Sequence, residues 1–252
     1  MHKKKDLETK MPITWCPGCP NNVILYVLKS VLKELVDAKK IRKQDIVVVT
    51  DIGCAGKIYD YLEVNAFYGL HGRAIPIATG IKMGNPGLTV IAVAGDGGTY
   101  GEGLNHLVSS SRLNPDITVI VINNGVLALT KGQPTSTHPS IGGEPIFDPV
   151  PLALASQASF VSRETAFDLR DLQSTVKAAI MHKGFSLVDI FEPCLSYNND
   201  GERMKRDTER VCGKDIQSDF EESLRPKIRT GVFRKMSRPT LEQKLRLSKK
   251  KS

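Results

Sequence analysis

The stretch LTVIAVAGDGG, Leu88 to Gly98, runs a continuously apolar segment straight into a glycine-rich turn that carries one carboxylate, Asp96. Continuous rather than alternating apolar character is what a strand covered on both faces requires, and such strands belong to parallel sheets. Three more runs read the same way: Ile46–Thr50, Ile117–Ile122 and Ser186–Phe191. Helical periodicity lies between them. Asn22–Val36 sets Ile24, Val27, Leu28, Val31 and Leu35 on one stripe, with Asn21 or Asn22 as the expected N-cap. Ala74–Met83 and Gly103–Arg112 read as helices opening after glycine-rich turns, and Phe167–His182 as a further amphipathic helix. This alternation predicts an α/β fold: a doubly wound, mostly parallel sheet with helices on both faces. Ligands of such a sheet bind beyond the carboxyl ends of its strands.

Working outward, residues 1–201 form the expected α/β domain and residues 202–252 a polar C-terminal extension, with the Lys249-Lys250-Lys251 end expected to be disordered. The formal net charge of +8 sits wholly in that extension, because residues 1–201 hold 19 basic and 19 acidic side chains. A basic tail can meet nucleic acid or an acidic protein, or serve solubility. Without aromatic interleaving or a nucleic-acid-binding motif, nucleic acid is not the expected partner. No stretch approaches the roughly 20 apolar residues that cross a bilayer, and Met1–Asp6 has charges with no apolar run behind them, unlike a secretory signal. No membrane association and a cytoplasmic location are expected. Residues 131–148, rich in Gly, Pro, Ser and Thr, read as an ordered active-site loop.

The run ITVIVI ends in Asn123-Asn124-Gly125, 28 positions from Asp96 to Asn124. If the two strands are parallel neighbours, Asp96 and Asn124 meet at one sheet edge. A carboxylate and an amide carbonyl are hard oxygen ligands suited to Mg²⁺ alongside phosphate oxygens. Glycines let the backbone approach a diphosphate, and the next helix offers it free N–H groups. The spacing resembles the thiamine diphosphate motif, which implies Asp96 and Asn124 as side-chain ligands to Mg²⁺ and the Val126 carbonyl as a third.

Trp15-Cys16-Pro17-Gly18-Cys19 is a C-x₂-C turn, compatible with zinc, a redox dithiol or half of an iron–sulfur site. Cys54 and Cys194 each follow a predicted strand, so they lie on carboxyl-end loops. The motifs WCPGC, DIGCAGK, LHGRAIPIATGIK, GDGG with NNG, LTKGQPTSTH and EPCLSYN occur in that order, from about residue 12 to 201. Together they resemble the β subunit of the 2-oxoacid:ferredoxin oxidoreductases, and GVFRKMSRPTLEQKL is similar to that subunit's C-terminal segment.

The resemblance implies one 4Fe–4S cluster on Cys16, Cys19, Cys54 and Cys194, leaving Cys212 as a free thiol. It implies cofactor contact by Gly53, His71, Gly72, Arg73, Gly95, Gly97, Gly98, Leu129 and Thr130. Lys57 is similar to a lysine that meets a substrate carboxylate, which with His71 makes a catalytic pair. The implied activity is CoA-dependent oxidative decarboxylation of a 2-oxo acid to acyl-CoA and CO₂, with electrons passing to ferredoxin. Thiamine enzymes also need a glutamate against the aminopyrimidine ring, normally from a second domain. An α-type subunit is expected to supply it, with γ and δ subunits as further candidates. Glu102 instead reads as a helix-start residue complementing the helix dipole. The chain departs from the family pattern at Pro20-Asn21-Asn22, Gly98 and Leu127-Ala128, which leaves the 2-oxo acid open. A non-oxidative thiamine-dependent decarboxylase subunit and a non-catalytic iron–sulfur subunit are the alternatives.

Overall fold

A computed structural model of the chain describes residues 7–138, 146–211, 220–221, 223 and 227–249. Expectations for Cys212 and residues 250–251 lie outside the described residues, as does the 139–145 portion of the predicted loop. In chain order the elements are α1 (Asn21–Asp37), β1 (Ile46–Thr50), β2 (Asn65–Tyr68), α2 (Ala74–Gly84), β3 (Thr89–Gly95), α3 (Leu104–Leu113) and β4 (Ile117–Asn123). A hairpin, β5 (Val126–Leu127) with β6 (Gln133–Pro134), follows, then α4 (Pro149–Ala155), β7 (Phe160–Thr165), α5 (Leu169–Met181) and β8 (Ser186–Phe191). The last described elements are α6 (Gly201–Asp207), β9 (Thr208–Arg210), β10 (Ile228–Lys235) and α7 (Leu241–Lys249).

Eight strands form one sheet in the order β2-β1-β3-β4-β8-β7-β10-β9, parallel throughout except where β10 runs antiparallel to β7. All four runs predicted from apolar character are strands in its centre. Alternate side chains divide the core between the two faces. Ile91 and Val93 of β3 pack with α1 and α5, while Val90, Ala92 and Ala94 pack with α2, α3 and α4. Helices therefore cover both faces, as a doubly wound sheet demands.

Four strands of this sheet escaped the apolar reading, and for β2, β7 and β10 the physical reason is plain. β2 is an edge strand exposed along its whole length. β7 buries Ser162, Arg163 and Glu164, each of which finds a partner. Arg163 Nε donates to Asp189 Oδ2 at 2.8 Å, Thr175 Oγ1 donates to Glu164 Oε1 at 2.6 Å, and Ser162 Oγ donates to the Leu187 carbonyl. β10 lies in the charged extension, yet it hydrogen-bonds into the main sheet beside β7. The N-cap expectation also needs correction. Pro20 occupies that position, and Asn22 Nδ2 turns back to donate to the Cys19 carbonyl at 3.0 Å. Among the described residues no helix is long and apolar enough to cross a membrane.

Ile91 is fully buried under α1 and α5. Truncation by Ile91→Ala should cost about 2–5 kcal/mol, the usual range for a core aliphatic that leaves a cavity, read as a lower denaturation midpoint at unchanged m-value.

Candidate functional site

After β1 the chain turns toward β2, and after β3 it turns toward β4 on the other side. The carboxyl ends of β1 and β3 thus flank a topological switch point, where open α/β sheets bind ligands. A cleft of ≈ 270 Å³ opens there. The predicted residues Gly53, Cys54, His71, Gly95, Asp96, Gly97, Gly98, Asn124, Val126, Leu129 and Thr130 all line it. Gly72 and Arg73 lie beside it rather than in its wall. Lys57 is not in its wall; its Nζ donates to the Thr14 carbonyl at 3.5 Å, and its charge acts on the neighbouring Cys54.

The β3–β4 register pairs Gly95 with Ile122, so Asp96 and the end of β4 emerge side by side. The backbone N–H of Asn124 donates to the Asp96 carboxylate. Thr135 Oγ1 also donates to Asp96 Oδ2. Thr137 Oγ1 sits 2.8 Å from Asp96 Oδ2 and 2.9 Å from Asn123 Oδ1, two acceptors sharing its one hydrogen. Both threonines come from the predicted loop, which the hairpin β5–β6 folds under the site. Burial pushes the Asp96 carboxyl up while the hydroxyls pull it back. A buried carboxylate without a cationic partner favours a cation beside it. Asn124 Oδ1 accepts from Val126 N at 3.1 Å, which fixes the amide near the same point. One carboxylate and one amide oxygen, with Val126 lining the same cleft, are hard donors of the kind that would fit Mg²⁺ shared with a diphosphate. The turn itself leaves no room for side chains: a Cβ on Gly98 would stand 2.1 Å from Asp51 Oδ2.

Beneath this set lies a network that sequence reasoning missed. Asp189, fully buried on β8, accepts from Tyr100 Oη at 2.8 Å, Asn123 Nδ2 at 3.1 Å and Arg163 Nε at 2.8 Å. Arg163 continues to Asp148 Oδ1 at 2.5 Å, anchoring the far end of the loop. Glu192, at the end of β8, was missed as well. It accepts a hydrogen bond from the Asn124 side chain, and its Oε2 is buried without a partner. Burial pushes its carboxyl up to about 8, and the negative charge of Asp96 adds to the rise. The available signal for these groups was position, since Glu192 and Asp51 both sit just past the carboxyl end of a strand.

The four predicted cysteines gather on the same sheet edge. Cys54 lines the cleft, Cys16 Sγ lies 3.7 Å from Ser196 Oγ on the Cys194 loop, and Gly18 packs on Leu195. Trp15 Nε1 donates to the Cys54 carbonyl at 2.8 Å, tying the C-x₂-C turn to the β1 loop. Burial pushes the Cys19 thiol up to about 11 and raises the Cys54 thiol, and Cys54 feels both Cys16 and Cys194. Among the described residues no three His, Cys, Asp or Glu side chains close tightly enough around one point for a single ion. Four soft sulfur donors on three adjoining loops suit a multi-iron cluster better than mononuclear zinc.

Glu102 ends a π-helical turn, Gly97–Glu102, just before α3 begins at Leu104. Its Oε2 lies 3.0 Å from His71 Nδ1. Gly72, at φ +70°, lets the two backbones approach, since a Cβ there would meet Glu102 Cβ at 2.8 Å.

Asp51 joins the three loops. Its Oδ2 accepts from Gly72 N at 3.1 Å while touching the Gly98 backbone, and burial pushes its carboxyl up to about 6 against an ordinary 3.8. A carboxyl raised on folding adds stability below its unfolded pKa and loses it as pH rises through the folded value. Between pH 3.8 and about 6 the chain should therefore lose roughly 3 kcal/mol relative to Asp51→Asn. Denaturation of both proteins across this window checks it; a pH-independent difference contradicts the assignment.

Residues 51–190 match the family model described as thiamine pyrophosphate enzyme, C-terminal TPP binding domain. The 2-oxoacid:ferredoxin oxidoreductase subunit beta of Saccharolobus solfataricus is 42% identical over 73% of this chain and 63% of its own length. The chain thus spans less than two thirds of that relative. The 2-oxoglutarate synthase subunit KorB of Methanothermobacter marburgensis is 32% identical over 89% of this chain and 88% of its own. Among solved structures, 2-oxoglutarate:ferredoxin oxidoreductase from Magnetococcus marinus, with 2-oxoglutarate, coenzyme A and succinyl-CoA bound, superposes with a TM-score of 0.92 at 30% identity. That match covers 98% of this chain and 89% of the other. With its parallel sheet, its hard-oxygen set and its four gathered thiols, the chain belongs to the thiamine diphosphate-binding β subunits of the 2-oxoacid:ferredoxin oxidoreductases.

Proposed function

We propose that this chain is the cofactor-holding subunit of an enzyme that oxidatively decarboxylates a 2-oxo acid with coenzyme A, yielding acyl-CoA, CO₂ and reduced ferredoxin. The observation that carries this reading is that one cleft is lined both by Asp96 and Asn124 and by Cys54. A metal-anchored cofactor and a redox cluster held by these residues would be immediate neighbours.

When bound, thiamine diphosphate supplies a ring that stabilises negative charge at the substrate's keto carbon, and a 4Fe–4S cluster supplies a one-electron acceptor. The chain's own residues bind and orient. Asp96, Asn124 and the Val126 carbonyl hold Mg²⁺, with Thr135 and Thr137 fixing the Asp96 carboxylate. The backbone at Gly95, Gly97 and Gly98 admits the diphosphate, while Gly53, Leu129 and Thr130 flank it. Cys16, Cys19, Cys54 and Cys194 hold the iron. Leu127 and Leu129 give the mouth of the cleft an apolar wall.

Among the described residues, neither glutamate beside the cleft is free for the aminopyrimidine ring, since Glu102 is paired with His71 and Glu192 is buried against Asn124. An α-type subunit therefore supplies that group, in a cytoplasmic complex that includes ferredoxin and, in some assemblies, γ and δ subunits. Residues 1–201 carry the cofactor chemistry, and β10 of the C-terminal extension braces the sheet beside β7.

Co-expression with the α-type partner and anaerobic purification tests this. The complex should contain iron, sulfide and thiamine diphosphate. Asp96→Ala should lose Mg²⁺-dependent thiamine diphosphate retention while keeping its iron, and Cys54→Ser should do the reverse. Retention unchanged in Asp96→Ala contradicts the metal assignment. An iron-free complex that still decarboxylates a 2-oxo acid points to a non-oxidative enzyme instead.

A further inference from the structure

We propose that Glu102 is a positioning residue for His71, confining proton exchange between His71 and a 2-oxo acid in the cleft to the ring atom Nε2. The inference rests on the proposed function and adds a group that neither the motifs nor the family likeness assigned.

The geometry is local and specific. Glu102 Oε2 lies 3.0 Å from His71 Nδ1, and both residues line the cleft that contains Asp96. The pair is braced through its backbone. Gly72 packs on Glu102 Cβ, Arg73 Nη1 donates to the Glu102 carbonyl at 3.4 Å, and Asp51 accepts from Gly72 N beneath them. Against this frame the ring cannot turn without losing its carboxylate. A carboxylate accepts and never donates, so Nδ1 must carry a hydrogen. In the neutral ring Nε2 is then the unprotonated nitrogen, and among the described residues it has no partner. A proton released by a bound acid or water can be taken up at Nε2 and returned from the same atom, with the Nδ1 hydrogen bond kept throughout. This is the arrangement in which a second group sets the tautomer of a histidine.

The charged groups around the ring are Glu102 on the π-helical turn, Arg73 in the same loop, Asp51 below and Asp96 across the cleft. Among the described residues only Glu102 reaches a ring nitrogen. Its side chain is 59% exposed, so its replacement removes the hydrogen bond without opening the core.

Two measurements test the proposal. In the first, the full chain labelled with ¹⁵N-histidine is observed at alkaline pH, with the His71 signals assigned by their loss in His71→Gln. Wild type and Glu102→Gln should show His71 with hydrogen on Nδ1, since a glutamine oxygen also accepts. Glu102→Leu should shift His71 toward the Nε2–H form. Hydrogen on Nε2 in the wild type, or an unchanged tautomer in Glu102→Leu, overturns the proposal. In the second, the assembled complex is assayed with its 2-oxo acid. Glu102→Leu should lower kcat by roughly ten- to a hundredfold at nearly constant KM, and Glu102→Gln should restore most of it. Equal losses in both variants, or none in Glu102→Leu, overturn it. The tautomer experiment needs no cofactor, so its failure would sink the dyad alone, whereas thiamine diphosphate retention by Asp96→Ala would sink the underlying function.

Discussion

A single buried carboxylate organises this molecule. Asp96 leaves the end of β3 and meets the N–H of Asn124 from β4 and the hydroxyls of Thr135 and Thr137 from the loop beyond the hairpin. None of these donors is a cation. Hydrogen bonds satisfy the carboxylate's oxygens but do not cancel its charge, so the interior keeps a demand for positive charge at one point. Everything nearby serves to hold that demand in place. Asn123 fastens the threonine loop to Asp189, and the Arg163 guanidinium lies between Asp189 and Asp148, one positive charge shared by two carboxylates. That positive charge stops short of Asp96 itself, where the proposed metal would supply it.

Topology explains why two kinds of chemistry converge there. In a parallel sheet every strand delivers its carboxyl end to the same edge, so loops distant in sequence become neighbours without long excursions. β1 delivers Asp51 and Cys54, β3 delivers Asp96, β4 delivers Asn124, and β8 delivers Glu192 and Cys194. The inner turns, after β3 and β4, carry oxygen donors, whereas the outer turns, after β1 and β8, each carry a carboxylate and a thiol, with Cys54 lining the cleft itself.

Apolar strands were legible because burial on both faces leaves a compositional trace, and Asp96 with Asn124 was legible because their spacing equals one strand–helix–strand unit. The cysteines were legible as a set only through motif order. What the sequence concealed was buried polarity. β7 reads as a polar segment because Arg163 and Glu164 are paired at positions that an apolar scan assigns to solvent. Glu192 reads as part of a turn, yet it is enclosed against Asn124. Tertiary partners decide whether such a side chain is tolerable inside, and single-sequence periodicity contains no information about partners that lie tens of residues away.

The same reasoning separates the two glutamates beside the cleft. Glu192 is enclosed, with one oxygen on Asn124 and the other unpartnered, so its influence is confined to the groups that wall it in. Glu102 is exposed, and its carboxylate stands against one ring nitrogen of His71, with its Cβ close against the Gly72 backbone. A carboxylate in water contributes little through an exposed ion pair. Its value here is directional: it decides which nitrogen of His71 keeps a hydrogen and which one faces the cleft. Affinity for the metal and handling of the proton are thus assigned to different loops, which lets the strand edge hold one while the surface turn adjusts the other.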